Sequence, residues 1–369
     1  MPTIKLSRPR TLARHTPAAF AVALVVLVSS CAGTGTDAGT LIDTPRVCAE
    51  RTGERLTVYS GRSENLMAPV LDAWECTTGN AVDVRWGGST DLALLAGEEG
   101  DSGGADVFLS RSPGPVGFLQ GRGLLRPLDR AVLDLVGPQY RSATGHWAGF
   151  TGRKRVLVYN VDAAAADAAA GVALPGSVFD LTSERYRGRV AVPATNGSFV
   201  DWFTVLRDAH GDEAATRWIN EMVANDARYY PNNRSIVDAV SRGEIDFGLV
   251  NHYYNYQEAE ANGDAHRAAN HEFADDDIGA LLIVTAAAVT SFSDDVGIAN
   301  DLVAYLLSEP AQRFFTDSSL EYPLAAGVEP NAALPPTTAG AVGSIGFDDL
   351  GAGFEETNAV IEASGILLQ

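Results

Sequence analysis

His252, Tyr253, Tyr254, Asn255 and Tyr256 put three phenols and an imidazole into five consecutive positions. They follow "GEIDFGLV", which reads as a turn leading into a buried strand. Successive strand residues face opposite sides of a sheet, so a continuing strand would keep Tyr253 and Tyr254 apart. The run "NHYYNYQEAEAN" instead reads as a helix capped by Asn251. Neighbouring helical residues differ by about 100° around the axis, so two long side chains in the first turn can bracket one point. The positive helix N-terminus favours phenolate over phenol there. A free phenol has a pKa near 10 and stays neutral at pH 7 unless a strong cation takes its proton's place. Hard metals prefer oxygen donors, and Ca²⁺ and Mg²⁺ are usually served by carboxylates and carbonyls. Paired phenolates therefore point to ferric iron rather than zinc or copper. Spacing alone leaves aromatic packing open as well, because a second pair, Tyr229–Tyr230, stands elsewhere in the chain.

The elements that must position this pair alternate. "RLTVYS", "AVDVRWG" and "ADVFLS" have strand character, separated by helical runs "SENLMAPVLDAWECTTG", ended by Gly79, and "STDLALLAGEEG". This βαβαβ rhythm predicts a parallel sheet with right-handed crossovers. Ligands commonly sit at the carboxyl ends of such strands, here "SGRSEN", "GGST" and "SRSPG". The expected organisation is two α/β lobes: residues 46–149 with 280–333, and residues 150–279 with 334–369. The chain would cross between them near Gly149 and near Gly279. The apolar run "IGALLIVTAAAVT" is too short and too β-rich for a membrane span.

Residues 1–30 read as an export leader, with Lys5, Arg8, Arg10 and Arg14 before an apolar stretch from Ala18 to Val28. The end of that leader, "VSSC", resembles the lipobox of bacterial lipoproteins. The resemblance implies lipidation of Cys31 and anchoring at the outer face of the cell membrane, with residues 31–45 as a flexible tether. An ordinary secretory signal is the other reading. Cys48 and Cys76 remain, and in an oxidising compartment such a pair predicts a disulfide. Of 27 Lys and Arg, four lie in the leader, which leaves 23 against 47 Asp and Glu. Such a surface repels nucleic acid. No G-x-S-x-G, HExxH or P-loop motif is present, so an enzyme is the weaker class.

Landmarks from "LTVYSGRSENL" through "ADVFLSRSPGPVGFLQGRGLLRPLD", "GFTGRKRVLVYN", "FDLTSERYRGRVAVPATNGSF" and "NNRSIVDAVSRGEIDFGLVNHYYNY" to "EYPLAAGVEP" run in order along the chain. Together they resemble the ferric-iron-binding proteins of bacterial ABC importers. The resemblance implies a two-lobed type II periplasmic-binding-protein fold, Fe³⁺ as cargo with carbonate, phosphate or citrate as synergistic anion, delivery to an ABC permease, and a monomer. It maps the metal ligands onto Tyr253 and Tyr254. It maps the anion site onto Asn196, Gly197 and Ser198, where a helix start suits an oxyanion, and onto Asn233, Asn251 and Arg153.

The sequence departs from the family where relatives carry a ligand histidine, here Ser63, and a ligand glutamate, here Arg111. Phe199 stands about where some carry a third tyrosine, and His252 replaces a common asparagine. Glu64, at a position that is tyrosine in other relatives, is a candidate carboxylate ligand. Arg62 and Arg111 join Arg153 as candidates for balancing the anion's charge. Another cargo on the same fold, such as a polyamine, thiamine, phosphate or phosphonate, remains open.

Overall fold

The computed structural model describes residues 42, 45, 47–100, 104–335 and 353–369. The expected leader, Cys31 and most of the expected tether lie outside the described residues. In chain order the first elements are β1 (Arg55–Ser60), α1 (Glu64–Thr78), β2 (Ala81–Trp86), α2 (Ser89–Glu99), β3 (Val107–Ser110), α3 (Pro113–Gly121), β4 (Leu125–Arg126) and α4 (Arg130–Leu133). Next come β5 (Ala148–Asn160), α5 (Val161–Ala169), β6 (Val190–Val192), α6 (Gly197–His210), α7 (Asp212–Ala224), β7 (Arg228–Tyr229), α8 (Asn233–Ser241), β8 (Phe247–Asn251), α9 (His252–Asn262) and β9 (Ala268–His271). The last are β10 (Leu282–Thr290), α10 (Val296–Leu306), α11 (Glu309–Ser319), β11 (Tyr322–Pro323) and α12 (Phe354–Ser364).

Strand order is β2-β1-β3-β10-β5-β8-β6-β7. β1 pairs with β2 and β3 in parallel, as the alternating strand and helix signals require. β10 then runs antiparallel between β3 and β5. All nine residues of β10 are buried, which explains its unbroken apolar sequence: both faces are covered. Among the described residues no helix is long and apolar enough to cross a membrane.

β5 takes part in two sheets. Ala148 to Lys154 pair with β10, whereas Arg155 to Tyr159 pair with β8. The change of sheet therefore falls at Lys154–Arg155. β11 adds to the first half of β5 and β9 to the second. The C-terminal helix α12 packs on α6 and α7; its Thr357 hydroxyl lies 2.8 Å from that of Thr204 and accepts from Arg207 at 2.7 Å.

Local devices fix both ends of the β1–β2–β3 unit, beginning with the end away from the carboxyl-end loops. α1 stops at Gly79, in the left-handed region at φ 79°, with its N–H bonded to Glu75 O. A Cβ there would lie 2.0 Å from Glu50 O, so only glycine fits. A disulfide joins Cys48 to Cys76 and ties the segment entering β1 to the end of this helix. Around the carboxyl ends of β1 to β3, Gly61 N–H donates to Leu109 O and Arg111 N–H to Ser89 Oγ. The three loops thus form one surface.

Candidate metal and anion site

A cavity of about 410 Å³ opens between those loops and the starts of α6 and α9. Tyr253 and Tyr254 occupy the first turn of α9; Asn251 holds the N-cap position in extended geometry, but its side chain makes no capping hydrogen bond. Their rings lie 4.4 Å apart between centroids, inclined by 32°, and both side chains line the cavity. Burial pushes the Tyr253 phenol up; the adjacent Tyr254 and Glu321 add to the rise, and Arg153 opposes it. Tyr253 is therefore a neutral phenol at neutral pH, and only a strong cation in the cavity would make it a phenolate.

The opposite wall is cationic. Arg153 is 2 % exposed and lines the cavity, yet Nε, Nη1 and Nη2 all lack a hydrogen-bond partner. Burial lowers its pKa, and Arg62 and Arg111 lower it further. Five donors of a buried guanidinium left unpaired are costly unless a ligand takes them. Arg62 is differently placed: its Nη1 and Nη2 donate to Glu321 at 3.0 and 2.6 Å. Arg111 lines the cavity from an exposed position.

The start of α6 supplies polar groups. Asn196, Gly197 and Ser198 line the cavity. Asn251 Nδ2 donates to Ser198 Oγ at 3.0 Å, and that hydroxyl donates to Asn196 Oδ1 at 2.6 Å. One chain of hydrogen bonds thereby locks the caps of α6 and α9 together.

The structure does not bring two candidates to the cavity. Glu64 is exposed in the first turn of α1 and is absent from the lining; its side chain turns to solvent. Asn233 is fully buried behind the site, where its Oδ1 accepts from Asn251 N–H at 3.1 Å and from Arg155 Nη1 at 3.4 Å. Its place is to hold Asn251. His252 is 2 % exposed, with Nδ1 accepting from Lys154 N–H at 3.1 Å and Nε2–H donating to Leu320 O at 2.7 Å. Both ring nitrogens are occupied, and burial pushes its pKa down to about 4. Phe199 stacks with Phe203 and tilts against Trp202 in the core. Tyr230 packs against the smaller apolar cluster beneath β8, and Ser63 lines the cavity rim.

Sequence reasoning passed over Glu321, Asp201, Arg155 and Arg234. Arg155 was within reach, since residues two apart on a strand share a face with each other, as Arg153 and Arg155 do on β5. Burial pushes Arg155 down to about 9, with Arg153 contributing. Asp201, in the second turn of α6, is 1 % exposed and its Oδ2 has no partner. Burial pushes this carboxyl up to about 7, against a hydrogen bond from Ser112 and the charges of Arg153 and Arg155. Arg234 pairs with Glu258, donates to Gln257 Oε1 at 3.1 Å and lies over the Tyr254 ring at 5.9 Å.

Residues 103–348 match the model of a family described as bacterial extracellular solute-binding protein. The chain is 29% identical over 290 residues to the Fe(3+)-binding periplasmic protein of Serratia marcescens, covering 78% of this chain and 84% of that protein. Iron-bound HitA from Pseudomonas aeruginosa matches with a TM-score of 0.77 at 32% identity, over 85% of this chain and 99% of HitA. A Trichodesmium protein solved with iron and citrate matches with a TM-score of 0.73 at 22% identity, over 84% of this chain and 99% of that one, a likeness of fold. The architecture is the two-lobed type II periplasmic-binding-protein fold, and the relatives are binding proteins. Matched by the family model over more than half its length and by HitA over most of it, the chain belongs to the bacterial extracellular solute-binding proteins.

Proposed function

We propose that this protein carries ferric iron, with an exogenous anion, between its two lobes and delivers it to an ABC permease. The observation that carries the proposal is the pairing of two adjacent phenols, with ring centroids 4.4 Å apart at a helix N-terminus, with a buried guanidinium that makes no hydrogen bond across the same cavity. Tyr253 and Tyr254 bind the metal as phenolates. Arg153, Ser198 and the N–H groups at the start of α6 receive the anion, for which carbonate, phosphate and citrate all have suitable oxygens. Among the described residues no three of His, Cys, Asp and Glu gather to hold a metal. The coordination is therefore tyrosine-dominated and completed by the anion, and Glu64 takes no part.

The names of the Serratia and Pseudomonas proteins support the cargo. Strand pairing supports lobes that meet at Lys154–Arg155 on β5 and again just before β10, with α12 returning to the second lobe. Closure about those crossings buries the ion, as in other hinged binding proteins. The protein acts outside the cytoplasm as a monomer, anchored through lipidated Cys31, and performs no catalysis. A purified Tyr253→Phe/Tyr254→Phe variant loses Fe³⁺ binding and the visible tyrosinate-to-iron absorption while keeping its circular dichroism. Unchanged Fe³⁺ affinity in that variant sinks the proposal.

One observation favours a second reading. The cavity wall carries Arg62, Arg111, Arg153 and Arg234 against a single carboxylate, Glu321, which suits an anion as the cargo itself. It argues against a polyamine or thiamine, both cationic. Thermal-shift titration with ferric citrate beside phosphate and phosphonates separates the two: stabilisation by phosphate alone, without any further gain from iron, selects the anion.

A further inference from the structure

Glu321 follows α11 in the chain and lines the cavity with 1 % of its surface exposed. It faces two guanidinium groups and treats them unequally. Arg62, from the loop after β1, gives it two hydrogen bonds at 3.0 and 2.6 Å. Arg153, from β5, stands 3.7 Å from Oε1, close enough for charge attraction but too far for a hydrogen bond. The carboxylate thus uses the donors of Arg62 and leaves every nitrogen of Arg153 open. The Ser319 hydroxyl, which donates to Phe315 O at 2.8 Å, lies 3.3 Å from Glu321 Oε2 on the side of α11.

We infer that Glu321 is the positioning and specificity-determining residue of the cavity: it holds Arg62 against the wall, presents Arg153 to the ligand, and sets the balance between cation and anion binding. The inference rests on the ferric reading of the same cavity. Its consequence has a sign. Removing the carboxylate charge releases a second guanidinium into the cavity and leaves the site one charge more positive. A bare anion then binds more tightly and a ferric ion more weakly. A purely structural carboxylate would weaken both together.

The test uses the mature full-length protein, with Glu321→Gln and Glu321→Asp beside the wild type. Each is titrated calorimetrically with inorganic phosphate in the metal-free state, and with ferric nitrilotriacetate at fixed phosphate. One unit charge a few ångströms away in a partly screened cavity changes affinity by about tenfold or more. Glu321→Gln therefore binds phosphate about tenfold more tightly and ferric iron about tenfold more weakly, and Glu321→Asp returns both towards wild type. Phosphate affinity that is unchanged or weaker in folded Glu321→Gln overturns the inference. Should that variant not fold, Arg62→Gln decides: with Arg62 gone, Glu321 pairs with Arg153, and phosphate affinity falls by about tenfold. Unchanged or tighter phosphate binding there overturns the inference equally. A wild type that binds neither probe overturns the proposed function and the inference with it; a wild type that binds both, with variants equal to it, overturns the inference alone.

Discussion

Asp201→Asn is expected to stabilise the protein, and only above mildly acidic pH. The Asp201 carboxyl is 1 % exposed on α6, one oxygen has no partner, and burial pushes it up to about 7 from an ordinary 3.8 despite Ser112, Arg153 and Arg155. Below pH 3.8 the carboxyl is protonated both folded and unfolded and costs nothing. Between 3.8 and about 7 the unfolded chain ionises while the folded one keeps its proton, so stability falls as pH rises; above 7 the loss is constant. At about 1.4 kcal/mol per pH unit, that gap amounts to about 4 kcal/mol at pH 8. Asparagine reproduces the protonated shape and keeps an acceptor for Ser112. Its NH₂ takes the place of the partnerless oxygen, which costs about 1 kcal/mol. The net gain is about 3 kcal/mol at pH 8 and falls to zero at about pH 4.5. Urea unfolding at pH 8 and pH 4.5 measures it, with an unchanged m-value as the control for two-state behaviour. Equal effects at the two pH values, or a less stable variant at pH 8, would refute the reasoning.

His252 produces the opposite slope. Burial pushes it down to about 4, so below 6.5 the unfolded chain takes a proton that the native ring refuses, and stability falls by about 3 kcal/mol as pH drops to 4. The two groups offset each other over that range in the wild type. Stability of the Asp201→Asn variant should therefore climb from pH 4 to 6.5, and a flat profile there would contradict a neutral buried imidazole. Iron binding should release about two protons per ion, because phenols must ionise to become ligands; calorimetry in buffers of different ionisation enthalpy reads this, and zero release would exclude phenolate ligation. Replacing Cys48 and Cys76 together by serine removes the link across a sequence separation of 28. It should cost about 3 kcal/mol in urea unfolding at neutral pH, and an unshifted midpoint would show that the crosslink leaves the unfolded chain unconstrained.

Local signals were legible and distant pairings were not. The start of α9 just after Asn251 followed from the polar helical run, although the Asn251 side chain makes no capping bond, and the parallel β1–β2–β3 unit followed from alternating periodicity. Nothing in "GFTGRKRVLVYN" marks where one strand exchanges β10 for β8 as its partner, because that depends on strands distant in sequence. Glu64 and Glu321 show the same limit within the site. Glu64 stands beside a family motif and points to water, whereas Glu321 finds its arginine 259 residues away. A carboxylate's worth depends on the dielectric around it, and that is a property of the packed molecule. Asn233 lies beside the site in sequence pattern but supports it from behind, since its side chain answers the Asn251 amide rather than the cavity.

Arg153 sits two residues before the point at which β5 leaves one sheet for the other. If Arg153 receives the anion as proposed, the grip on the guest and the pivot of the jaws are the same few peptide units. A guest that draws that guanidinium towards itself loads the backbone both sheets share, with no relay of side chains in between. Shutting and gripping become a single mechanical event, and a substitution that loosens one will be felt in the other.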